Sequence, residues 1–322
     1  MKKLLVIVLC FITGIAGILG AQEESDSGMT SSRTLDVQIS SLPELKVIFK
    51  QNFKFPAMQG DGMLTKGNNF KVSVGGEITP ISFNALADAV LTPIAFLELS
   101  VGGRIGSGWV IPIGKGIGLN ISDGNTPQKM KYDGKPFDGA LYGAYIGGLL
   151  QMDFGLLMPW DYDHVVFQSY HEINYAGYSR GTNEKPWFYE SDAGENVNGF
   201  NYYGNFLLGY QIPDFWFNTI AVLTEMDYHL YNLPNRDVYG DDLIRWHIAG
   251  VLGFTFTDWL DVKLITQFRT LRNYKDGSPE WKGSTISGNP NGYYYRDRIL
   301  DTSNKMDFHF YRVAALVTFK LP

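Results

Sequence analysis

The chain has 322 residues, enough for one large domain or two ordinary ones. Its net charge of −6, from 27 Lys and Arg against 33 Asp and Glu, excludes a basic surface for nucleic acid. Aromatic residues reach 15% beside 36 glycines, a balance unusual for a soluble enzyme and common where aromatic girdles and closely spaced strands are needed.

In chain order, Lys2 and Lys3 precede an apolar run from Leu4 to Leu19, and Gly20-Ala21 offers a small-residue cleavage site before Gln22. Residues 1–21 read as a secretory signal peptide. Cys10 lies inside that run and is the only cysteine, so the mature chain is expected to carry no thiol, disulfide or Cys-based metal site. No later apolar run approaches the roughly eighteen residues a membrane helix needs. Residues 22–44 are Ser-rich and begin acidic, and read as a polar lead-in with short β structure around Leu35 to Ile39.

Residues 45–322 then break into strands of alternating polarity. Leu45 to Phe55 sets phenylalanines and aliphatics against Lys46, Lys50, Asn52 and Lys54. Phe70 to Leu91 changes parity at Thr79-Pro80, which fits either a bulge in one long strand or a hairpin turned there. Further strands follow at Ile94–Ser107, Ala140–Leu157, Val165–Tyr175, Tyr202–Ile212, Phe215–Leu230, Leu243–Phe256 and Trp259–Leu271. The last runs through Met306 to Pro322, where Tyr311, Val313, Ala315, Val317, Phe319 and Leu321 alternate with Arg312, Ala314, Leu316, Thr318 and Lys320.

This final strand resembles the C-terminal strand of bacterial outer-membrane β-barrel proteins, which ends in an aromatic residue read by the assembly machinery. The resemblance implies outer-membrane lipid and that machinery as partners, the latter through Tyr311, Val313 and Phe319. Short connections at Thr92-Pro93, Pro159, Pro213-Asp214 and Thr257-Asp258 alternate with long polar ones, the pattern of periplasmic turns and extracellular loops. The count closes at ten strands if Phe70 to Leu91 is one bulged strand, with the lead-in and Pro322 in the periplasm and the loop at Pro56 to Asn69 outside. Extra hairpins in the two longest loops would raise it to twelve or fourteen. Trp160, Phe215, Trp216 and Trp259 fall beside the short turns, and Tyr175, Tyr228, Tyr231 and Trp246 near the other ends, as two interfacial belts require. The fold expected is an all-β, transmembrane, antiparallel up-and-down barrel. The whole resembles outer-membrane barrel proteins of the kind spirochaetes carry in numbers.

By parity the inner face carries Lys46, Lys50, Lys54, Glu77, Glu98, Arg104, Asp153 and Glu172, then Asp261, Lys263 and Lys320. It also carries a cluster of Glu225, Asp227, His229, Arg245, His247, Arg269 and Arg312. Buried charges need partners, so this cluster reads as a salt-bridged lining, or as a path for a small polar solute. A surface protein binding an external ligand through its loops is a further expectation. Asp227-Tyr228-His229 resembles the Asp-x-His pair of omptin proteases, which implies an outer-membrane hydrolase with these two residues catalytic. That family also needs two facing acids at the outer rim, and Asp161-Tyr162-Asp163 falls at the other end. No spacing points to a cofactor or metal. Gly102-Gly103 and Gly147-Gly148 fall within strands, where close approach explains them better than phosphate binding.

Overall fold

The computed structural model describes residues 28–42, 44–112, 114–122, 130–156, 164–183, 187–190, 196–212, 215–230, 236–275, 277 and 299–321. Residues 1–21, read above as a signal peptide, with Cys10, the turns expected at Met158–Asp163 and Pro213-Asp214, Trp160 and Tyr231 lie outside the described residues.

Seventeen strands are described. β1 (Thr30–Ser40), β2 (Leu45–Pro56), β3 (Asn69–Thr79), β4 (Ser82–Ile94) and β5 (Leu97–Gly108) come first. β6 (Val110–Ile111), β7 (Gly114–Lys115), β8 (Ile117–Ser122) and β9 (Met130–Gly134) follow in a long connection. Then come β10 (Leu141–Asp153), β11 (His164–Tyr178), β12 (Trp187–Tyr189), β13 (Gly199–Gln211) and β14 (Phe217–His229). The last are β15 (Arg245–Thr257), β16 (Leu260–Arg272) and β17 (Met306–Leu321). Twelve of these form one closed antiparallel barrel in the order β1-β17-β16-β15-β14-β13-β11-β10-β5-β4-β3-β2.

Twelve strands replace the ten expected, for two reasons. Residues 22–44 are not wholly a lead-in: β1 pairs with β17 from Arg33↔Leu321 to Ser40↔Ala314 and with β2 from Thr30↔Lys54 to Ile39↔Leu45. A barrel leaves no strand edge open, and the alternation of Leu35, Val37 and Ile39 with Thr34, Asp36 and Gln38 supplies the closing strand. The parity change at Pro80 is a hairpin, with Thr79 opposite Ser82. Thr79 Oγ1 and Ser82 Oγ stand 2.7 Å apart across the tip, and Ile81 N donates to Thr79 Oγ1. Proline is tolerated there because a turn residue owes the ladder no donor.

These two differences cancel in the parity of the count and reverse the direction of β2. The loop at 57–68 therefore joins the end that holds the β4–β5 turn, the start of β1 and the finish of β17, not the end of the long loops. Ala95 N, in the β4–β5 turn, donates to Leu64 O at 2.9 Å, and Asn68 Nδ2 donates to Pro93 O at 2.6 Å. The hairpin at Pro80 takes its place at the opposite, long-loop end. Within the described residues of that end, β12-β8-β9 and β6-β7 form small separate sheets and add nothing to the barrel.

The outer face is apolar. Val101, Ile105, Ile146, Leu208 and Val222 are each more than half exposed, whereas their sequence neighbours turn inward. Barrel strands of 11 to 16 residues meet or exceed the roughly 9–11 that cross a bilayer at a tilt. Rings gather at both ends of this belt. Trp216 stacks on Phe254 and Phe256, and Trp259 on Phe319, at the end with the β4–β5 turn. Tyr142, Tyr175 and Phe200 meet at the other, as do Phe83, Trp109 and Phe137. This is the exterior of a barrel made to sit in hydrocarbon.

Tyr311 corrects the reading of the final strand. The β16–β17 register slips between Gln267↔Arg312 and Phe268↔Phe310, so Tyr311 is the extra residue of a bulge. Its ring lies under the Arg269 guanidinium at 4.1 Å and beside His247, on the inner face. Beyond the bulge Phe308 and Phe310 take over the outer face.

A close approach within the ladder gives a direct check. Gly106 on β5 sits opposite Asn84 on β4, and a Cβ there would fall 2.1 Å from the Phe83 carbonyl oxygen. Gly106→Ala is expected to lower the stability of the folded barrel by about 1–3 kcal/mol, read from urea unfolding in lipid vesicles. An unchanged midpoint would mean that these two strands are not packed as described.

Candidate functional site

The inward positions of twelve strands line one lumen, and the hydrogen bonds across it form a continuous track over half the wall. Arg312 on β17 pairs with Glu44, in the β1–β2 turn. Its Nε donates to Gln267 Oε1 on β16 at 2.9 Å, and Gln267 Nε2 donates to Glu225 Oε2 on β14 at 2.9 Å. Tyr203 on β13 donates its hydroxyl to the other oxygen of Glu225 at 2.6 Å. The Tyr203 ring meets Tyr170 on β11, whose hydroxyl donates to Glu172 Oε2 at 2.6 Å, and Asn174 Nδ2 donates to Glu172 Oε1. Asp227 pairs with Arg245 on the neighbouring strand. Glu225 and Glu172 are thus held by neutral donors, and Asp227 and Glu44 by guanidinium groups. Each arrangement offsets the cost of holding a carboxylate away from bulk water.

The other half of the wall pairs Lys46 with Glu77 at 3.2 Å and Lys50 with Asp88 at 3.7 Å. Lower down, Lys320 meets Asp261 at 2.8 Å. Between the two halves, tyrosines lie against glycines. A Cβ on Gly102 would fall 2.6 Å from the Tyr145 ring, and one on Gly147 would fall 2.5 Å from Tyr170 Oη. These in-strand glycines seat luminal rings, which is the close approach expected of them. At the end with the β4–β5 turn a cavity of about 800 Å³ opens, with Asp153, Gln211, Asn218, Thr219 and Thr255 in its lining.

The other end of the lumen is narrowed by a segment from the long loops. Trp187, Phe188 and Tyr189 of β12 pair with β8 and are buried, and Ile117, Leu141, Tyr178, Trp187 and Tyr189 form the one apolar core among the described residues. Asn198 ties this core to the wall, accepting from Trp187 Nε1 and donating to the carbonyls of Tyr178 and Gly181. From it, Tyr189 and Glu190 reach the inner wall. Asn84 Nδ2 donates to Tyr189 Oη at 2.7 Å and also to Glu77 Oε1, and Ser82 Oγ donates to Glu190 Oε1. Lys46 Nζ stands 3.9 Å from the second Glu190 oxygen, and the Arg104 guanidinium lies 5.8 Å from the Tyr189 ring centre. Glu190 adopts φ 53°, a left-handed backbone that a non-glycine residue holds only when its surroundings impose it. Burial pushes the Tyr189 hydroxyl well above the ordinary tyrosine range, so it stays protonated as an acceptor and donor at the constriction.

Of the cluster read from sequence, Glu225, Asp227, Arg245, His247, Arg269 and Arg312 come together on β14 to β17. His229 follows on β14, its Nδ1 2.7 Å from Asn201 Oδ1. Asp227 and His229 therefore take their partners from opposite neighbouring strands, Arg245 and Asn201, rather than each other. Asp161 and Asp163 lie outside the described residues. Among the described residues no group of three or more His, Cys, Asp and Glu side chains could hold a metal. Sequence parity missed the neutral members of the track, Tyr203 and Gln267, because only charged residues were scored. It also missed Glu44, placed in the lead-in, and Tyr189-Glu190, placed in a polar loop.

No protein-family model and no curated protein sequence matches the chain. Among solved structures it is similar to the NanC porin at 10% identity over 91% of this chain and 100% of that one, with a TM-score of 0.38. The KdgM porin (8%, 91% and 100%, TM-score 0.32) and the CymD monoaromatic hydrocarbon channel (8%, 92% and 88%, TM-score 0.30) are similar at lower scores. Likenesses this distant carry no function across, and the architecture rests on the strand pairing itself.

Gln267 is the joint of the luminal track, since its amide serves Arg312 on one side and Glu225 on the other. Gln267→Leu should leave both charges short of a bond and cost about 1–3 kcal/mol, again read by urea unfolding in vesicles. Thr266→Leu, one residue away on the outer face, should cost nothing measurable.

Proposed function

We propose that the chain is an outer-membrane channel for small polar solutes, exported by its signal peptide into the envelope of a diderm bacterium such as a spirochaete. The chain termini face the periplasm and the long loops face outside. Membrane lipid covers the apolar belt, and the assembly machinery reads β17 through Val313 and Phe319, Tyr311 being turned inward. The observation that carries this reading is the state of the luminal charges. They are paired, yet Lys50, Arg245 and Lys320 keep 37%, 31% and 51% of their side chains accessible. A barrel packed shut would bury such groups. A wet, charge-lined lumen inside an apolar wall is a route for solutes that hydrocarbon excludes.

The segment Trp187–Glu190 narrows the lumen, because Tyr189 and Glu190 reach from the loops to Asn84 and Ser82 on its inner wall. Single-channel recording in planar bilayers tests this. The wild-type protein should give defined conductance steps. Tyr189→Ala combined with Glu190→Ala, which removes both anchors, should at least double the unit conductance. Glu225→Gln should shift ion selectivity toward anions with little change in conductance. Folded protein that inserts and gives no steps would refute the channel, and an unaltered double variant would remove the segment from the path.

A further inference from the structure

Midway along β11 the outer wall holds a group that a hydrocarbon-facing surface should not. His171 is the eighth of the fifteen residues of β11, midway along the strand, and its ring points outward and is exposed. Ile146 and Ile173 lie above it on the same face and Leu150 and Leu208 below, all of them exposed. Its Nε2 is 2.9 Å from Ser169 Oγ and its Nδ1 is 2.6 Å from Tyr202 Oη, both on the outer face. Phe206 meets the ring edge-on.

The hydrogen count of this triad does not close. A neutral imidazole has one N–H and one lone pair. One hydroxyl donates to the lone pair, and the other accepts the N–H and keeps its own proton. Among the described residues that O–H has no acceptor. If the ring were charged, two would be left over. Lipid chains offer no acceptor at this depth, so an unsatisfied donor there points to a polar partner within the membrane.

The surface beside the triad has the shape to receive one. In register with His171, the adjacent strands carry Gly148 on β10 and Gly204 on β13. A Cβ on Gly148 would meet only Glu98 O and Leu99 Cδ2, both in ordinary contact at 3.9 Å, so that side is a shallow hollow, whereas the Gly204 side is filled by Tyr202 and Met226. A knob of His171 and Tyr202 therefore stands directly beside a hollow at Gly148. A two-fold axis between them would place each knob in the other copy's hollow, and would bring each Tyr202 hydroxyl, Ser169 being buried, within reach of a symmetry-related oxygen.

We propose that this face is where a second copy of the chain docks in the bilayer, forming a dimer through His171, Tyr202 and Gly148. The proposal rests on the membrane reading above and not on the channel. The test is the oligomeric state of the full folded protein in lipid nanodiscs and vesicles over a range of protein-to-lipid ratios. Wild type should be dimeric. His171→Leu, which removes the polar knob, and Gly148→Leu, which fills the hollow and leaves the triad intact, should each weaken the dimer about tenfold or more, as loss of two symmetry-related bonds in a bilayer would. Heat-modifiable mobility should stay normal in both. Wild type monomeric at every ratio, or both variants as dimeric as wild type, would overturn the dimer and leave the channel untouched. Failure of the wild type to insert into vesicles would overturn the membrane reading, and the dimer with it.

Discussion

The closure of β1 against β17 is the constraint on which the other features depend. Backbone N–H and C=O groups in hydrocarbon cost several kcal/mol each when unpaired, so a membrane sheet is viable only without edges. Once the ladder closes, alternation divides the side chains between two solvents. The outer positions can be Val, Ile and Leu because lipid accepts them. The inner positions can be Glu, Lys and Arg because twelve strands leave room for water and for partners on facing strands.

Closure also explains why the lumen is organised as tracks rather than isolated ion pairs. Register sets Gln267 opposite Arg312 on one side and the small Ala249 on the other, so its amide can reach across β15 to Glu225, and Asn84, opposite Glu77, can also serve Tyr189 of the loop segment. The loop segment exploits the same wall. Its own small core, around Trp187 and Tyr178, holds Tyr189 and Glu190 in place while two polar anchors fix them to β2–β4. The strained backbone at Glu190 is tolerable because that core and the Ser82 and Lys46 contacts determine its position together.

The barrel was legible in the sequence because its signal is period-two alternation, repeated over many strands and reinforced by turn chemistry. The pieces misread were those in which that signal is short or broken. In β1 three aliphatic residues alternate within a polar, Ser-rich stretch, too few to stand out without knowledge that β17 lacks a partner. At Pro80 a parity change has two local explanations, and only the pairing of β3 with β4 separates them. At Tyr311 a single bulge turns an aromatic residue inward while leaving the sequence pattern apparently intact. The luminal charges were visible as a set, because parity assigns a face. Their partners were not, because Tyr203, Gln267 and Glu44 are ordinary residues until neighbouring strands bring them together. His171 illustrates the same limit from the other side: parity places it outward, but its significance appears only beside Ser169 on its own strand and Tyr202, Gly204 and Gly148 from two others.

The division of side chains between two solvents is open to a direct measurement. Nitroxide labels placed singly along β14 from Thr219 to Asp227, in protein folded into lipid vesicles, report collision with oxygen, which prefers hydrocarbon, and with a water-soluble nickel chelate. Labels at 220, 222, 224 and 226 should see oxygen and those at 219, 221, 223, 225 and 227 the chelate, so that the two profiles run out of phase at a period of two residues. Profiles in phase, or chelate access at 220 and 222, would show that this strand does not separate lipid from a wet lumen.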